Sequence, residues 1–282
     1  KNISIIGTGI MGYPMAQNIS KFYKLKAYNR SYAKSKNLKS YDIYVCRTIE
    51  QVCENCDFLI TMLPGDKEVL HISKKLSLHM KKNSTIIDMS STKVTTAQKV
   101  YTLLKKNKIN FLDAPVSGGP EGAKKASLAI MVGGDEKIYK KSKKLLRTMG
   151  NPTLVGKNGS GQIAKLCNQI IVGVTIGAVA EAIILFEKNG AKPTKLIEAL
   201  RGGLADSLIL KNHGLRMIKK DFKARGKNST HLKDMLNIIE LSKKSNIELP
   251  LSRIIKKMFK NLCDRNLSNY DHSSLYKEIS KK

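Results

Sequence analysis

The sequence predicts an α/β protein: a doubly wound parallel sheet at the N-terminus, and then an all-α domain joined to it by a long helix. Two observations carry this prediction. Short β-branched runs alternate with helical patterns through the first half of the 282 residues, and no convincing strand follows residue 162. Such alternation is typical of parallel strands with helices on both faces of the sheet. We therefore expect one domain over residues 1–158 and a second over residues 159–282.

The predicted elements of the first domain are short strands separated by helices. The strands are Ile3–Gly7, Leu25–Tyr28, Ile43–Cys46, Phe58–Met62, Thr85–Asp88 and Ile109–Asp113. The helices are Met11–Lys21, Ala33–Leu38, Glu50–Cys53, Lys67–His79 and Val94–Lys106. A last strand pair, Ala129–Val132 and Thr153–Val155, flanks a helix over Ile138–Met149. In the second domain an apolar helix extends from Gln162 to about Lys188, and four helices follow: Thr194–Leu200, Leu208–Lys219, His231–Ser245 and Ser252–Cys263.

The formal net charge of +29 allows two interpretations. Clustered Lys and Arg would indicate a nucleic-acid or membrane partner, because they attract phosphate. Here the lysines are scattered as short pairs over most segments, and the chain has no Trp that could stack on bases. We therefore interpret the charge as a compositional bias of the surface, and we expect neither a nucleic-acid nor a membrane partner.

Cysteine usage indicates the redox compartment. The five cysteines have no framework spacing, which favours free thiols in a reducing compartment. Cys53 and Cys56 have the spacing of a redox or zinc pair, but no second pair completes a zinc site and the five histidines show no metal-ligand spacing. No signal-peptide pattern is present. We therefore expect a cytoplasmic protein with no bound metal.

The most informative motif is a glycine turn, Gly7-Thr8-Gly9-Ile10-Met11-Gly12, which directly follows the first strand and opens a helix. This context is the one expected for dinucleotide binding. Gly7 makes the tight turn, Gly9 lets the backbone approach a pyrophosphate, and Gly12 lets the helix pack against the strand. The pyrophosphate then faces free N–H groups at the helix N-terminus. The motif predicts a Rossmann-type domain that binds a nicotinamide dinucleotide.

The end of the second strand predicts which nicotinamide cofactor is bound. An NAD site usually has an acidic residue there, which holds the ribose 2′-OH. This chain instead has Asn29-Arg30-Ser31, with Lys34 close behind. These side chains can hydrogen-bond a 2′-phosphate, and Arg30 can also stack on the adenine face. We therefore expect NADP(H) to be preferred, with NAD(H) as the alternative.

Three later segments indicate an enzyme. Asp113 ends a strand that leads into the turn Ser117-Gly118-Gly119, whose hydroxyl and consecutive backbone N–H groups suit a carboxylate. Lys165 and Asn168 are three residues apart near the start of the long helix, and so they share a face. The third segment, His231 to Asp234, lies in the helical domain.

These segments together resemble the β-hydroxyacid dehydrogenase family, which includes 3-hydroxyisobutyrate dehydrogenase, tartronate semialdehyde reductase and glyoxylate/succinic semialdehyde reductase. The resemblance spans the chain in matching order and spacing: the glycine turn continued to Asn18, Met62-Leu63-Pro64, Asp88 to Thr92, Asp113 to Gly119, Gly161 to Asn168, Lys233-Asp234 and Asp271 to Leu275. It implies hydride transfer between NADP(H), or NAD(H), and a small β-hydroxyacid or semialdehyde, with a lysine as general acid–base.

The resemblance also implies roles for single residues. Lys165 looks like the catalytic lysine, and Asn168 looks like the residue that hydrogen-bonds the substrate and orients that lysine. Ser117, Gly118 and Gly119 look like the turn that binds the substrate carboxylate. The implied cofactor contacts are Gly7, Thr8, Gly9, Ile10, Met11, Gly12, Asn29, Arg30, Ser31, Met62, Leu63, Pro64, Thr92 and, over the nicotinamide end, Lys233. The family usually has two asparagines where this chain has Asn168-Gln169.

Other functions fit parts of the sequence. A non-catalytic dinucleotide-binding module could use the basic surface to bind nucleic acid or protein, but such a module has little reason to keep Lys165. An enzyme like 6-phosphogluconate dehydrogenase needs a longer helical domain, and imine reductases are not expected to carry this lysine. The stretch from Ile170 to Phe186 is apolar all round, so we expect it to join the domains and to form part of a homodimer or homotetramer interface.

Overall fold

The computed structural model describes residues 1–280; residues 281 and 282, at the end of the second predicted domain, lie outside the described residues. The chain forms two compact units, Lys1–Lys165 and Leu166–Lys282. The domain boundary at residue 158 stays a prediction, whereas the predicted fold class, a Rossmann-type sheet domain followed by a helical domain, is confirmed.

The first unit is built on one sheet of nine strands. The strands are β1 (Ile3–Ile6), β2 (Leu25–Tyr28), β3 (Ile43–Val45), β4 (Phe58–Thr61), β5 (Thr85–Asp88), β6 (Asn110–Asp113), β7 (Val116–Ser117), β8 (Leu128–Gly134) and β9 (Gly150–Gly156). Their order is β3-β2-β1-β4-β5-β6-β8-β7, and β9 pairs with β8. Strands β1 to β6 are parallel, while β8 pairs antiparallel with β6 and β7.

The strand order reverses at β1, which lies between β2 and β4. Ile3 pairs with Leu25 on one side and with Phe58 on the other, so the chain winds outwards in both directions from β1. In open α/β sheets, ligands bind in the crevice beyond the carboxyl ends of the strands at such a reversal. This edge of the sheet therefore positions the site.

Both faces of the sheet are buried, which is why its strands are continuous apolar runs. Ile5 and Ile60 belong to the core on one face, and Ile6 and Leu59 belong to the core on the other. Successive side chains of a strand alternate between faces, so each strand supplies both cores. The helices of this unit are α1 (Gly12–Ser20), α2 (Ile49–Cys53), α3 (Asp66–His79), α4 (Val94–Lys106), α5 (Gly119–Lys124) and α6 (Glu136–Leu146).

The structure corrects two details of the predicted first unit. The helix predicted over Ala33–Leu38 is instead two 3₁₀ segments, Tyr32–Lys34 and Lys36–Tyr41. The hydroxyl of Ser35 donates to the Tyr32 carbonyl between them, a local bond that competes with helix formation. The short elements β7 and α5 were not predicted, because two residues and a Gly-Pro-Glu-Gly stretch carry no periodic apolar pattern.

The second unit is helical, and its first helix starts within the first unit. This helix, α7 (Ser160–Lys188), precedes α8 (Pro193–Ala199), α9 (Leu215–Ile218), α10 (Asn228–Lys244), α11 (Pro250–Asp264) and α12 (Tyr276–Ile279). The helix predicted over Leu208–Lys219 is present over residues 208–218, and it contains a π-helical turn, Leu210–Gly214, directly before α9. Within its described residues this unit has no strand, and one isolated bridge joins Lys227 and Asp271.

Helix α7 is the one described helix that is long and apolar enough to cross a membrane by length and composition. About a third of its most apolar window is buried inside the structure. A helix that packs within a soluble protein or an oligomer has the same length and composition, so this property alone does not define its environment.

Candidate active site

The glycine turn brings together the predicted cofactor residues that directly follow β1 and β4. Gly7 has a φ of +95°, and a Cβ atom on it would overlap the carbonyl oxygen of Met62. A Cβ on Gly12 would overlap the carbonyl oxygen of Gly7, so both positions require glycine. A Cβ atom added to Gly9, by contrast, would have no neighbouring atom within 4 Å. The turn thus leaves open space at the start of α1, which fits a pyrophosphate.

Asn29, at the end of β2, is tied to the glycine turn. Its side-chain oxygen accepts a hydrogen bond from the Thr8 N–H at 3.1 Å, and its amide nitrogen donates to the Ser31 carbonyl at 2.9 Å. Arg30, Ser31 and Lys34 are exposed beside it. Asn29 therefore holds the loop in shape, while its neighbours present their side chains to solvent.

The loops after β4 and β5 are joined by one buried carboxylate, Asp88. Its Oδ1 accepts hydrogen bonds from the Thr61 hydroxyl at 2.8 Å and from the Ser90 hydroxyl at 2.6 Å. The Leu63 N–H in turn donates to the Ser90 hydroxyl at 2.9 Å. The predicted cofactor contacts Met62, Leu63 and Pro64 are thereby held next to the loop that carries Thr92.

Thr92 offers an available polar group at this edge of the sheet. Its hydroxyl is buried and has no hydrogen-bond partner in the structure. A buried hydroxyl without a partner costs free energy unless a ligand or water satisfies it. This orphaned group and the open space at Gly9 fit a bound dinucleotide.

A second buried carboxylate, Asp113, lies at the end of β6 and caps helix α7. Its two oxygens accept from the Gly159 N–H at 2.7 Å and from the Gln162 N–H at 3.0 Å. Burial raises the pKa of Asp113 to about 7, although both backbone hydrogen bonds favour its charged form. The sequence motifs include Asp88 and Asp113 but do not predict their structural roles. An acid at the end of a buried strand was the signal in the sequence that could have indicated those roles.

Lys165 lies on α7 one turn beyond this cap and is only 9% exposed. Among residues 1–280 it is the only lysine or arginine in the buried class. A lysine is almost never fully buried without a partner or a role. Its position therefore distinguishes it from the other basic residues of the chain.

The helical unit connects two further predicted residues, Asn168 and Lys233. The Asn168 amide donates to the Gln169 side-chain oxygen at 2.9 Å, and the Gln169 amide donates to Asp234 at 2.7 Å. Lys233 forms an ion pair with the other oxygen of Asp234 at 3.3 Å. A continuous polar chain thus links Asn168 on α7 to Lys233 on α10, and Gln169 is a member that sequence reasoning missed.

The predicted carboxylate-binding turn follows β7. Ser117 pairs with Ala129 of β8 and is the last residue of its strand. Gly118 and Gly119 have φ values of +135° and +62°, which other residues rarely adopt, and no atom lies within 4 Å of a Cβ added at Gly119. The turn therefore bends sharply beside open space.

Comparison with known proteins identifies the family. The sequence profile of the NAD binding domain of 6-phosphogluconate dehydrogenase matches residues 2–166, and the profile of the NAD-binding domain of NADP-dependent 3-hydroxyisobutyrate dehydrogenase matches residues 159–279. The chain is 36% identical to 2-hydroxy-3-oxopropionate reductase of Escherichia coli over 281 residues, 98% of this chain and 96% of that one. The chain belongs to the β-hydroxyacid dehydrogenase family.

Other relatives agree with this assignment. The mitochondrial 3-hydroxyisobutyrate dehydrogenase of Drosophila melanogaster is 30% identical, with 100% of this chain and 90% of that protein covered. The solved structure of Mycobacterium tuberculosis 3-hydroxyisobutyrate dehydrogenase with L-serine superposes with a TM-score of 0.90 at 26% identity, covering 99% of both chains. The dehydrogenase is therefore an oxidoreductase that uses a nicotinamide dinucleotide, and a non-catalytic binding module is not favoured.

Two imidazole rings of the dehydrogenase meet in its helical unit. His213 and His272 are 59 residues apart in sequence, yet their Nε2 atoms are 2.8 Å apart, and Asp271 lies beside them. Burial and the neighbouring His272 lower the pKa of His213 to about 3, so His213 is the neutral ring of this pair. The Asp271 carboxylate already accepts five hydrogen bonds, from Arg216, Arg225, Gly226 and Ser273. It has no lone pair left for a metal ion.

The thiols of Cys46, Cys53 and Cys56 are buried in the sheet core. Burial raises the pKa of Cys53 to about 12 and that of the other two to about 11. Since the thiolate is the reactive and metal-binding form, these positions are those of structural cysteines.

The Asp88 carboxyl makes the stability of the dehydrogenase depend on pH. Burial raises its pKa to about 6, against the hydrogen bonds from Ser90 and Thr61 that lower it. The folded protein then binds this proton more tightly than the unfolded chain, so ionisation of Asp88 reduces the free energy of unfolding as the pH rises from about 4 to about 6.

We therefore expect Asp88→Asn to gain stability relative to wild type across this interval, by on the order of 2 kcal/mol, and to hold a constant difference above it. Asn keeps the oxygen that Thr61 and Ser90 contact. Urea unfolding at several pH values measures the difference. Asp42→Asn, at an exposed position, should reproduce the wild-type profile. A difference for Asp88→Asn that does not change with pH would contradict the prediction.

Proposed function

We propose that this dehydrogenase transfers a hydride between NADP(H) and a small β-hydroxyacid or semialdehyde, with Lys165 as the general acid–base. The observation that carries the proposal is the burial of Lys165, alone among the described lysines and arginines, one turn after the Asp113 cap of α7. An ammonium held there supports both stabilisation and protonation of a developing alkoxide.

The proposed roles of the chain's residues follow from their chemistry. The Ser117-Gly118-Gly119 turn binds the substrate carboxylate through its hydroxyl and N–H groups. The Asn168 amide hydrogen-bonds the substrate and orients Lys165. The turn from Gly7 to Gly12 holds the pyrophosphate. The further cofactor contacts are Met62, Leu63, Pro64 and Thr92, with Lys233 over the nicotinamide end.

The chemical step balances with Lys165 as its only protein acid. When bound in reduced form, the nicotinamide ring supplies the hydride to the substrate carbonyl carbon. Lys165 gives a proton from Nζ to the carbonyl oxygen, which becomes a hydroxyl, and the neutral amine regains a proton from solvent. In the oxidative direction the neutral amine of Lys165 takes the hydroxyl proton.

Replacing Lys165 tests this assignment. We expect Lys165→Ala to retain NADPH binding, measured by fluorescence titration, and to lose about 10²- to 10⁴-fold in kcat, because the general acid is removed. Lys188→Ala, at an exposed lysine of the same helix, should keep wild-type turnover. Assays use glyoxylate, succinic semialdehyde, tartronate semialdehyde and methylmalonate semialdehyde with NADPH. Wild-type kcat in Lys165→Ala would refute the role of this lysine.

The preference for NADP(H) rests on the loop after β2. Because the Asn29 side chain is engaged with Thr8 and Ser31, we assign the 2′-phosphate to the exposed Arg30 and Lys34 and to the Ser31 hydroxyl. No acidic residue occupies residues 29–34, so nothing there repels a phosphate. Asn29 is then a residue that shapes the loop, and Arg30 is the main phosphate contact.

Removing the Arg30 side chain should weaken the use of NADPH much more than the use of NADH. We expect Arg30→Ala to raise KM for NADPH about 10- to 100-fold, the value of a hydrogen bond to a charged group, with KM for NADH changed less than about threefold. Lys24→Ala removes an exposed charge before the same strand and should change neither constant. Steady-state kinetics with both cofactors measure this, and a wild-type preference for NADH would reverse the assignment.

We also propose that the dehydrogenase is a homodimer or homotetramer. Helix α7 exposes apolar residues at a spacing of seven, namely Ile171, Ala178 and Leu185. Ile171 and Leu185 are 66% and 68% exposed. Residues at this spacing share one helix face, and such a stripe is typical of an interface between helices. The cytoplasm remains the proposed location, and the five free thiols support a reducing compartment.

A charge placed in this stripe should dissociate the oligomer. We expect Ile171→Glu to lower the molar mass measured by light scattering, because a carboxylate in an apolar interface loses its hydration. Leu78→Glu is the matched control, since Leu78 is 78% exposed on α3, and it should leave the mass unchanged. A wild-type protein that is monomeric at micromolar concentration would exclude the proposed assembly.

A further inference from the structure

A fully buried glutamine, Gln162, lies in the first turn of α7 and none of the roles above uses it. Its side-chain oxygen accepts a hydrogen bond from the Thr92 N–H at 3.0 Å, and its side-chain nitrogen donates to the Ser90 carbonyl at 2.9 Å. Its own backbone N–H donates to Asp113 at 3.0 Å. Gln162 therefore joins the loop after β5 and the end of β6 to the start of α7.

The pair of side-chain bonds explains why an amide occupies this position. The loop presents one N–H and one carbonyl two residues apart, and only a group with a donor and an acceptor in one plane satisfies both. An apolar side chain of the same length would leave both backbone groups buried without partners, each at a cost of about 1–3 kcal/mol. The arrangement is a clamp between two main-chain segments.

The clamp ends at two groups that belong to the proposed chemistry. Thr92 is an expected cofactor contact, and Lys165 is three residues beyond Gln162 on the same face of the helix. The other end of the loop is held by Asp88 through Ser90. Gln162 thus closes a chain of hydrogen bonds that extends from the cofactor loops to the turn that carries the lysine.

We propose that Gln162 is a positioning residue. It fixes the loop after β5, which carries Thr92, against the first turn of α7, so that the proton donor and the hydride donor are both correctly placed at the substrate. This inference rests on the proposed function of Lys165. A displacement of about 1 Å between reacting groups can cost about 10²-fold in rate, while ground-state binding changes little. Replacing Gln162 should therefore lower kcat and leave cofactor binding nearly unchanged.

The first test replaces the amide by a near-isosteric apolar side chain. Gln162→Met should lower kcat about 10- to 100-fold, with the dissociation constant of NADPH changed less than about threefold. Tyr139→Phe is the matched control, because it also removes a hydrogen bond from a buried side chain to a carbonyl, that of Pro152, and Tyr139 lies on α6, which is none of the segments that Gln162 joins. Its kcat should stay at the wild-type value. A Gln162→Met variant that loses melting temperature but keeps kcat would overturn the proposal.

A double-mutant cycle shows whether Gln162 acts through Lys165. In the Lys165→Ala background, Gln162→Met should lower kcat by less than about threefold further, because residues that act on one step are not additive. Full additivity would overturn the positioning role while leaving Lys165 catalytic. Wild-type turnover in Lys165→Ala alone would instead refute the proposed function, so the two failures are distinct.

Gln162→Glu decides the matter if the methionine variant does not fold. A protonated carboxyl can still accept from the Thr92 N–H and donate to the Ser90 carbonyl, whereas a carboxylate cannot donate. The ionisable side chains on the segments joined by the clamp are Asp88, Lys93, Asp113 and Lys165. Burial beside two acids favours the protonated form at low pH. The ratio of variant to wild-type kcat should therefore fall as pH rises from about 5.5 to about 8.5, and a constant ratio would overturn the proposal.

Discussion

The hydrogen bonds from the start of helix α7 to the Asp113 carboxylate are the constraint on which the rest of the site depends. Asp113 ends β6, the last of the six consecutive parallel strands β1 to β6, and its two oxygens accept from the Gly159 and Gln162 N–H groups. An anion at a helix N-terminus is favoured by the unsatisfied N–H groups and by the helix dipole. The carboxylate therefore fixes where the 29-residue helix α7 begins, and with it the position of Lys165 in the second turn of that helix.

The dehydrogenase keeps two buried carboxylates at this edge, and burial raises the pKa of both Asp88 and Asp113 towards neutrality. Apolar residues of similar volume would often be as stable or more stable at such positions. The acids are explained by what they hold, since Asp88 orients the loops after β4 and β5 and Asp113 orients α7. A site built this way is organised before any ligand arrives, which is what precise hydride and proton transfer require.

The sequence predicted most of the fold because strand-and-helix alternation is a local signal. Short apolar runs were enough to predict the six parallel strands, and the position of the glycine turn between a strand and a helix was enough to predict its role. Two kinds of element were missed. The Ser35 hydroxyl bonds the Tyr32 carbonyl where a helix was predicted, and two 3₁₀ segments form there instead. Strand β7 has only two residues, too few for a periodic pattern. The contacts of Gln162, and the pairing of His213 with His272, depend on long-range folding that no spacing in the chain reveals.

Lys165 illustrates how structure adds to a sequence that is rich in the same residue. With 51 lysines and arginines against 22 acids, composition gives no reason to select one lysine. The described structure leaves the other lysines and arginines at least partly exposed, where hydration offsets their charge, and among these two residue types it buries Lys165 alone. Keeping an ammonium there costs desolvation energy that a surface lysine avoids. Groups that do chemistry are commonly held at such a cost, so burial, more than charge or number, supports Lys165 as the proton donor that we propose.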